Sequence, residues 1–184
     1  LSENTFHKYI LSTKPKLGLD DNDISMRMIH DMATPLTKPL CHIFNQSISF
    51  SIFPSNMKVS RCIPILKKGS PFSVENYRGV VMINGFAKIF EKIFSDRLTL
   101  FLDETNFFIN KKFGFRKGIS TSHALCSIMN EITSRLNEDK LVLALFCDIE
   151  KCFDTLDRSI LYRKRENAGI RGHVLDWVKS YFSN

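Results

Sequence analysis

The chain has 184 residues, 43% of them hydrophobic, and its 26 Lys and Arg against 19 Asp and Glu give a net charge of +7. This size suits one domain or part of a larger one, and the positive charge is compatible with a polyanionic partner. The five scattered cysteines and the absence of a long apolar run argue against a disulfide framework, a zinc site and a membrane span. We therefore expect a soluble intracellular protein, nuclear or cytoplasmic, whose sequence is a piece of a longer chain.

The first fifty residues combine turn-rich and helical sequence. Residues 1–22 carry Pro, Gly and acidic turn residues and predict a loosely packed lead segment. Apolar residues at helical spacing after Ile24 predict a helix capped by Asp23, and the Thr34-Pro35 pair predicts the start of a second helix. The buried stripe predicted for the second helix is Leu36, Leu40, Ile43, Phe44 and Ile48.

Residues 59–81 predict a hairpin. The apolar run 59–66 contains a proline and predicts an edge strand, and Val80 and Val81 lie in a second, antiparallel strand. Lys67, Lys68 and Arg78 would then lie on one side of the hairpin, and cations at fixed spacing can neutralise a triphosphate. Judged by itself, a Lys-Lys-Gly turn is more often a solvated loop.

A long helix capped by Asn84 follows the hairpin, with a broad apolar face and with Lys88, Glu91 and Lys92 predicted to be solvated on the other face. The later block 110–125, NKKFGFRKGISTSHAL, then combines phenylalanines, glycines and cations. This mixture suits contact with a nucleic-acid strand, although an exposed basic turn explains it too. The helix predicted after the block has the inward residues Ala124, Leu125, Ile128, Met129, Ile132 and Leu136.

The apolar run 141–147 stops at Asp148 and predicts a strand buried on both faces. A carboxylate at the rim of a sheet needs a cation or several donors, which makes Asp148 a candidate metal ligand. Its alternative role is to end the strand or to cap the next turn. Downstream, Asp157 is the predicted N-cap of a helix over residues 158–167 that Gly169 ends, and Trp177 and Tyr181 are predicted packing anchors.

Four blocks between about Phe53 and Asn184 carry a family resemblance. LVLALFCDIEKCFDTLD resembles motif A of reverse transcriptases of non-LTR retrotransposons, with matches at Phe146, Asp148, Lys151, Phe153, Asp154 and Asp157. PILKKGSPFSVENYRGVV with KIFEK, KFGFRKGIST, and GIRGHVLDWVKSYFSN resemble three further blocks of that family. The chain departs from the family pattern at Gly79, where Pro is usual, and at Lys112, Cys152 and Arg158, which replace Gln, Ala and His. Gly79 is expected to loosen the loop that holds Arg78.

The resemblance implies an α+β fold that forms part of a right-hand polymerase. A helix-rich fingers subdomain with short antiparallel strands would occupy residues 23–140, after the lead segment 1–22. The first strand and helix of a truncated palm subdomain would occupy residues 141–184, with the sheet incomplete.

The resemblance also implies roles for individual residues. Asp148, with the backbone carbonyl of Ile149, would help to hold two Mg²⁺ ions, and Phe153 would pack under the sugar of the incoming nucleotide. Arg78 and either Lys67 or Lys68 would bind the nucleotide phosphates. Residues that would contact template and primer are Arg116, Lys117 and Phe113.

The implied reaction is that of an RNA-directed DNA polymerase of a transposable element. Its partners would be an RNA template, a DNA primer and deoxynucleoside triphosphates, joined by two-metal nucleotidyl transfer. The family's Ala-Asp-Asp motif is absent from the sequence, so this segment alone is expected to bind without polymerising. A non-catalytic nucleic-acid-binding remnant of a mobile element is the main alternative. An aspartyl phosphatase is disfavoured because Glu150 and Cys152 replace the Asp and Thr of its D-x-D-x-T motif.

Overall fold

The computed structural model describes residues 1–149 and 152–183. Its helices and strands are α1 (Glu3–Leu11), α2 (Met26–Asp31), α3 (Ala33–Ser49), β1 (Ser60–Leu66), β2 (Tyr77–Ile83), α4 (Gly85–Glu104), α5 (Thr121–Asn137), α6 (Arg158–Asn167) and α7 (His173–Phe182). This mixture of helices with a small antiparallel sheet agrees with the predicted α+β class. No helix in the described part of the chain is long and apolar enough to cross a membrane.

The chain divides into two compact units. The first unit comprises Leu1–Thr99 and Tyr162–Asn184, and the second comprises Leu100–Leu161. These limits differ from the predicted boundaries between residues 22 and 23 and between residues 140 and 141. The division into fingers and palm therefore stays a prediction.

The lead segment is packed, contrary to expectation. Helix α1 begins after Ser2, whose hydroxyl accepts the N–H of Thr5 at 3.3 Å, and its Phe6 and Ile10 are fully buried. These two residues are four positions apart and therefore lie on one face of the helix. The turn residues that follow α1 dominate the composition of residues 1–22, which hid this short apolar face.

The Asp20 side chain stabilises the turn over residues 20–24. Its side chain is 2% exposed, and Oδ1 accepts the N–H groups of Asn22 and Ile24, both at 3.0 Å. Oδ2 accepts the N–H of Gly85 at 2.8 Å, at the first residue of α4. The carboxylate thus accepts a hydrogen bond from an N–H at the start of α4 that has no partner within the helix. The helix dipole also favours a negative charge at this end.

The next helices begin close to the predicted positions but use different caps. Ser25 caps α2 by accepting the N–H of Met28 at 3.2 Å, whereas the predicted cap Asp23 is exposed and has a φ of 56°. Helix α3 contains Pro39 and buries Leu40 and Phe44 of the predicted stripe, with Leu36 and Ile48 partly buried. Ile43 is an exception, since its side chain is 40% exposed.

Aromatic residues dominate the core of the first unit. The rings of Phe6, Phe44 and Phe90 lie with centroids 5.0 to 6.2 Å apart, and Phe94 stacks on Trp177 at 4.6 Å. Trp177 Nε1 donates a hydrogen bond to Ser47 Oγ at 2.7 Å, which satisfies the indole of a residue that is 2% exposed. The predicted role of Trp177 as a packing anchor is confirmed.

Strands β1 and β2 form the predicted antiparallel hairpin, with Pro64 opposite Gly79 and Ile65 opposite Arg78. Lys67 N–H donates to the Asn76 carbonyl at 2.8 Å, and hydrogen-bonded pairs alternate along an antiparallel ladder. Pro64 and Gly79 therefore share a non-hydrogen-bonded pair, where the missing N–H of proline is harmless. Gly79 belongs to β2 and not to a loop, so the expectation that it loosens a loop was wrong.

The second unit contains no buried residue among those described. The residues predicted to face inward from α5 are half-buried or exposed, with Leu125 at 60% and Met129 at 50%. Residues 141–149 form no strand, and Leu143 is 96% exposed, so the predicted buried strand is not formed. A strand requires a neighbour for its main-chain hydrogen bonds, and the two described strands pair with each other.

Helix α6 follows the sequence prediction more closely. Asp157 caps α6, because its Oδ1 accepts the N–H groups of Ser159 at 2.8 Å and Ile160 at 3.3 Å. Helix α6 ends at Asn167, and Gly169 follows with a φ of 92°. Both predicted boundary signals of this helix are confirmed.

Candidate functional site

The loop between β1 and β2 is braced by its own residues. Asn76 Nδ2 donates to the Ser70 carbonyl at 2.9 Å, and the Tyr77 hydroxyl donates to the Pro71 carbonyl at 2.9 Å. Gly69 has a φ of 81°, and a Cβ at this position would come within 2.8 Å of Asn76 Nδ2. The positive φ therefore favours glycine at position 69, and the absence of a Cβ lets the Asn76 side chain approach closely. Asn76 and Tyr77 shape the loop that carries the two lysines.

Three exposed cations belong to this hairpin. Side chains alternate between the faces of a strand, and the bond from Lys67 N to Asn76 O continues the ladder by one residue. The register therefore assigns Lys67 to the face that carries Ile65 and Arg78, whereas Lys68 begins the turn. Among the described residues, none of these three side chains has an ion-pair partner. An unpaired lysine and arginine on one face suit a polyphosphate.

A second group of cations lies in the loop between α4 and α5. The Arg116 guanidinium forms an ion pair with Asp103, Nη2 to Oδ1 at 3.2 Å, and lies 5.3 Å from the centre of the Phe108 ring. Lys112 Nζ is 5.8 Å from the centres of both the Phe108 and Phe115 rings. The Arg116 side chain is 26% exposed and held on two sides, so it braces this loop.

The other residues of this loop differ in accessibility. Phe113 is half-buried, Lys117 is exposed, and Phe115 is 91% exposed with a φ of 59°. The predicted template and primer contacts were Phe113, Arg116 and Lys117; Phe115 belongs to the same FGF triplet and was not among them. No local pattern pointed to Asp103 or Phe108, because they approach Arg116 only through the turn that follows α4.

Asp148 and the Ile149 carbonyl lie in the exposed segment 141–149, which has no regular secondary structure, and Phe153 is 80% exposed. Carboxylate and carbonyl oxygens are the ligands that Mg²⁺ prefers. Within residues 1–149 and 152–183, no group of three or more His, Cys, Asp or Glu side chains gathers as a metal site would require. These residues supply two suitable oxygen ligands and do not complete a metal site. Lys151, a match to motif A, and Glu150 lie outside the described residues.

Glu91 of the KIFEK stretch was wrongly predicted to be solvated, whereas Lys92 makes its polar contact at the surface. Tyr181 donates a hydrogen bond from its hydroxyl to Glu91 Oε1 at 2.7 Å, and Lys92 Nζ donates to Ser12 Oγ at 2.7 Å. Burial raises the pKa of the Glu91 carboxyl, although the Tyr181 hydroxyl and Lys88 act to lower it. Burial and Glu91 together raise the pKa of Tyr181. Tyr181 is therefore a packing anchor, as predicted, and Glu91 is its partner within the first unit.

The predicted site residues are divided between the two units. The hairpin cations Lys67, Lys68 and Arg78 belong to the first unit. The second unit contains Phe113, Arg116, Lys117, Asp148, Ile149 and Phe153. The structure thus brings together Lys67 with Arg78 in one unit, and the aromatic and cationic residues of the α4–α5 loop in the other.

Comparison with known proteins finds a family and several relatives. A model of the family "Reverse transcriptase (RNA-dependent DNA polymerase)" matches residues 65–184. The chain is 28% identical over 165 residues to the RNA-directed DNA polymerase from mobile element jockey of Drosophila melanogaster, covering 89% of this chain and 18% of that protein. A probable RNA-directed DNA polymerase from transposon BS of the same species is 28% identical over 116 residues, 62% of this chain and 13% of that protein. The chain thus spans less than a fifth of the length of either relative.

Proposed function

The chain belongs to the reverse transcriptase family, and from this we propose that it is the nucleotide- and template-binding part of an RNA-directed DNA polymerase from a non-LTR retrotransposon. One observation carries the proposal. The family match at residues 65–184 includes all nine residues to which the resemblance gives a role in binding or catalysis, from Lys67 to Phe153. The related jockey and BS proteins are themselves named RNA-directed DNA polymerases of mobile elements.

The hairpin is proposed to bind the triphosphate of the incoming deoxynucleotide. Arg78 and Lys67 share one face, and their charges would neutralise the negative charge that builds up on the leaving pyrophosphate. Lys68, one residue further into the turn, would contribute a less constrained cation. The braces from Asn76 and Tyr77 support this role, because a preorganised loop loses little conformational entropy when the nucleotide binds.

Asp148 is proposed to be a metal ligand of the polymerase, together with the Ile149 carbonyl. Members of the reverse transcriptase family use divalent metals, and the oxygen donors of these residues suit Mg²⁺. Two such ions, when bound, would activate the 3′-hydroxyl of the primer and neutralise charge at the reacting phosphate. The further ligands would come from carboxylates that this sequence lacks, such as those of an Ala-Asp-Asp motif. Phe153 is proposed to lie under the sugar of the incoming nucleotide and to exclude a 2′-hydroxyl.

The α4–α5 loop is proposed to contact the template and primer through Arg116, Lys117 and Phe113. Lys117 is exposed and provides a cation for phosphate contact. Arg116 is held by Asp103 and Phe108, so its main contribution would be to keep the loop in one shape. The aromatic and basic composition of the loop supports binding to a nucleic-acid strand.

Binding and catalysis can be tested separately. The 184-residue chain is expected to bind a labelled RNA template with an annealed DNA primer, measured by fluorescence anisotropy, and to incorporate no nucleotide in a primer-extension assay. Asp148→Asn should leave this binding unchanged because the residue is not a phosphate-binding cation. In a longer protein that carries this segment with an Ala-Asp-Asp motif, Asp148→Asn is expected to reduce incorporation to background.

Contrary outcomes have distinct meanings. Templated incorporation by the 184-residue chain would refute the proposal that the segment is inactive alone. Incorporation that survives Asp148→Asn in the longer protein would refute the metal-binding role. If no longer protein with this segment incorporates nucleotides while the primer–template still binds, the nucleic-acid-binding remnant becomes the better description.

A further inference from the structure

We infer that Phe115 is a stacking platform for an unpaired base of the nucleic-acid strand, flanked by cations that hold the backbone of that strand. This inference rests on the proposed function and adds Phe115 to the contacts proposed there. It assigns Phe115, and not its motif neighbour Phe113, as the aromatic residue that meets nucleic acid.

The Phe115 ring is accessible to solvent. Phe115 is 91% exposed, whereas Phe113 in the same loop is half-buried. Phe115 also has a φ of 59°, a backbone conformation that costs little for glycine but is unfavourable for a residue with a large side chain. The ring gains little burial to offset this cost. Core packing therefore does not explain a phenylalanine at this position.

Neighbouring side chains support the Phe115 ring. Lys112 Nζ is 5.8 Å from the centres of both the Phe115 and Phe108 rings, so its charge lies between them. Arg116 is next to Phe115 in the chain and is held by Asp103 at 3.2 Å and by the Phe108 ring. Phe115 thus projects from a loop whose neighbouring side chains are fixed. Such preorganisation lowers the entropic cost of binding.

The charge around Phe115 favours a nucleic-acid partner. No Asp or Glu occurs in residues 105–130, which contain four cations. Lys111 pairs with Glu131 and Arg116 with Asp103, whereas Lys112 and Lys117 have no ion pair with the described residues and flank Phe115 in the sequence. A protein partner would gain little from an isolated ring surrounded by cations. A single strand of nucleic acid offers both complements, since its phosphates neutralise the cations and its bases present flat faces for stacking.

A tryptophan at position 115 provides a direct test. The chain contains one tryptophan, Trp177, which is 2% exposed and belongs to the core of the first unit. Phe115→Trp therefore adds an accessible fluorophore to a shielded one. A single-stranded RNA oligonucleotide is expected to quench the added emission by stacking. Heparin, a polyanion without bases, is expected to leave the added emission unquenched.

Affinity provides the second measurement. Phe115→Ala is expected to weaken binding of the single-stranded RNA about tenfold, and Phe115→Leu should weaken it similarly because leucine has no aromatic face. The matched control is Phe50→Ala, which removes another exposed ring, 69% accessible, at the end of α3. This control should bind RNA like the parent chain.

Three results would overturn the inference. Unchanged RNA affinity of Phe115→Ala, while Lys112→Gln or Lys117→Gln weakens binding, would remove the stacking role and leave the proposed function intact. A blue-shifted emission of the added tryptophan in the free chain would show that position 115 is covered. If the parent chain binds neither the RNA oligonucleotide nor the primer–template, the inference and the proposed binding function fail together.

Discussion

Helices with similar apolar spacing are buried to different extents in the two units of this chain. Helices α4 and α5 both carry apolar residues at helical spacing, yet Ile89, Phe90 and Ile93 of α4 are fully buried. Helix α5 contains no buried residue, and its Leu125 is 60% exposed. An apolar stripe therefore indicates which face of a helix is available for packing, but it does not guarantee that a partner covers that face.

Because burial differs between the two units, different interactions stabilise each of them. In the first unit, aromatic rings in mutual contact add packing energy to the burial of apolar surface. In the second unit, α5 relies on local interactions such as the Glu131–Arg135 ion pair at 3.2 Å and the contact between Ser120 N–H and His123 Nδ1 at 3.1 Å. Exposed ion pairs of this kind contribute about 0.3–0.5 kcal/mol each. We therefore expect truncations to affect the two units very differently.

The largest expected effect is that of Phe90→Ala. Phe90 is fully buried and contacts the rings of Phe6 and Phe44, so its truncation leaves a cavity. The free energy of unfolding of the first unit should fall by about 3–5 kcal/mol, measured by urea denaturation followed through Trp177 fluorescence.

Leu125→Ala is the matched truncation in the second unit. Leu125 is 60% exposed on α5, and its removal should change the free energy of unfolding by less than about 0.5 kcal/mol. Circular dichroism at the helical band monitors both variants. A loss of several kcal/mol from Leu125→Ala would mean that the apolar face of α5 is covered in solution, and the contrast between the units would disappear.

An intermediate effect is expected from Asp20→Asn. The buried carboxylate accepts hydrogen bonds from the N–H groups of Asn22, Ile24 and Gly85, and an asparagine side chain provides only one oxygen for them. At least one buried donor then loses its partner, which should cost about 1–3 kcal/mol in thermal or urea unfolding. The exposed Asp23, three residues away, is the control, and Asp23→Asn should be close to neutral. Equal effects of the two changes would contradict a clamping role for Asp20.

The smallest expected effect on stability is that of Glu91→Gln, and it depends on pH. Burial raises the pKa of Glu91 above that of the unfolded chain, so the native state binds this proton more tightly. The stability that results is fully present below the ordinary pKa of the carboxyl and is lost as pH rises through the raised pKa. Glu91→Gln removes this titration while keeping an oxygen for the Tyr181 hydroxyl. The melting temperature of the variant, relative to that of the parent chain, should therefore increase as pH rises from about 4 to about 8.

Two further variants make the Glu91 experiment decisive. Tyr181→Phe removes a hydrogen bond that lowers the pKa of Glu91, so it should move the loss of stability to higher pH. Glu75→Gln, at an exposed position in the hairpin loop, should leave the pH profile unchanged. A parallel pH dependence of the parent chain and Glu91→Gln would show that Glu91 does not control it.

Local signals in the sequence were most successful where few neighbouring residues decide the structure. The hairpin, the caps at Asn84 and Asp157, and Gly169 after α6 were all predicted, and each depends on short-range hydrogen bonds or backbone preference. The packing of Trp177 was predicted as well. The four family-like blocks were also sufficient to identify the reverse transcriptase family.

Predictions failed where a distant residue was the deciding partner. Glu91 was taken for a solvated charge because Tyr181 lies 90 positions away along the chain. The lead segment was predicted to be loosely packed, but its Phe6 packs against Phe44 and Phe90, which belong to two other helices. The sequence also did not indicate that Asp103 and Phe108 hold the Arg116 guanidinium, because both lie outside the motif that contains it.

The sequence by itself determined the family, the positions of most helices and the chemistry of the candidate site, because these depend on residue types at fixed spacing. Only the tertiary structure decided which apolar faces are buried and which cations are already paired. Burial and pairing depend on neighbours brought close by folding, and the spacing of residues within one element does not specify those neighbours. Phe113 and Phe115 are two positions apart in one motif, and folding leaves one half-buried and the other 91% exposed.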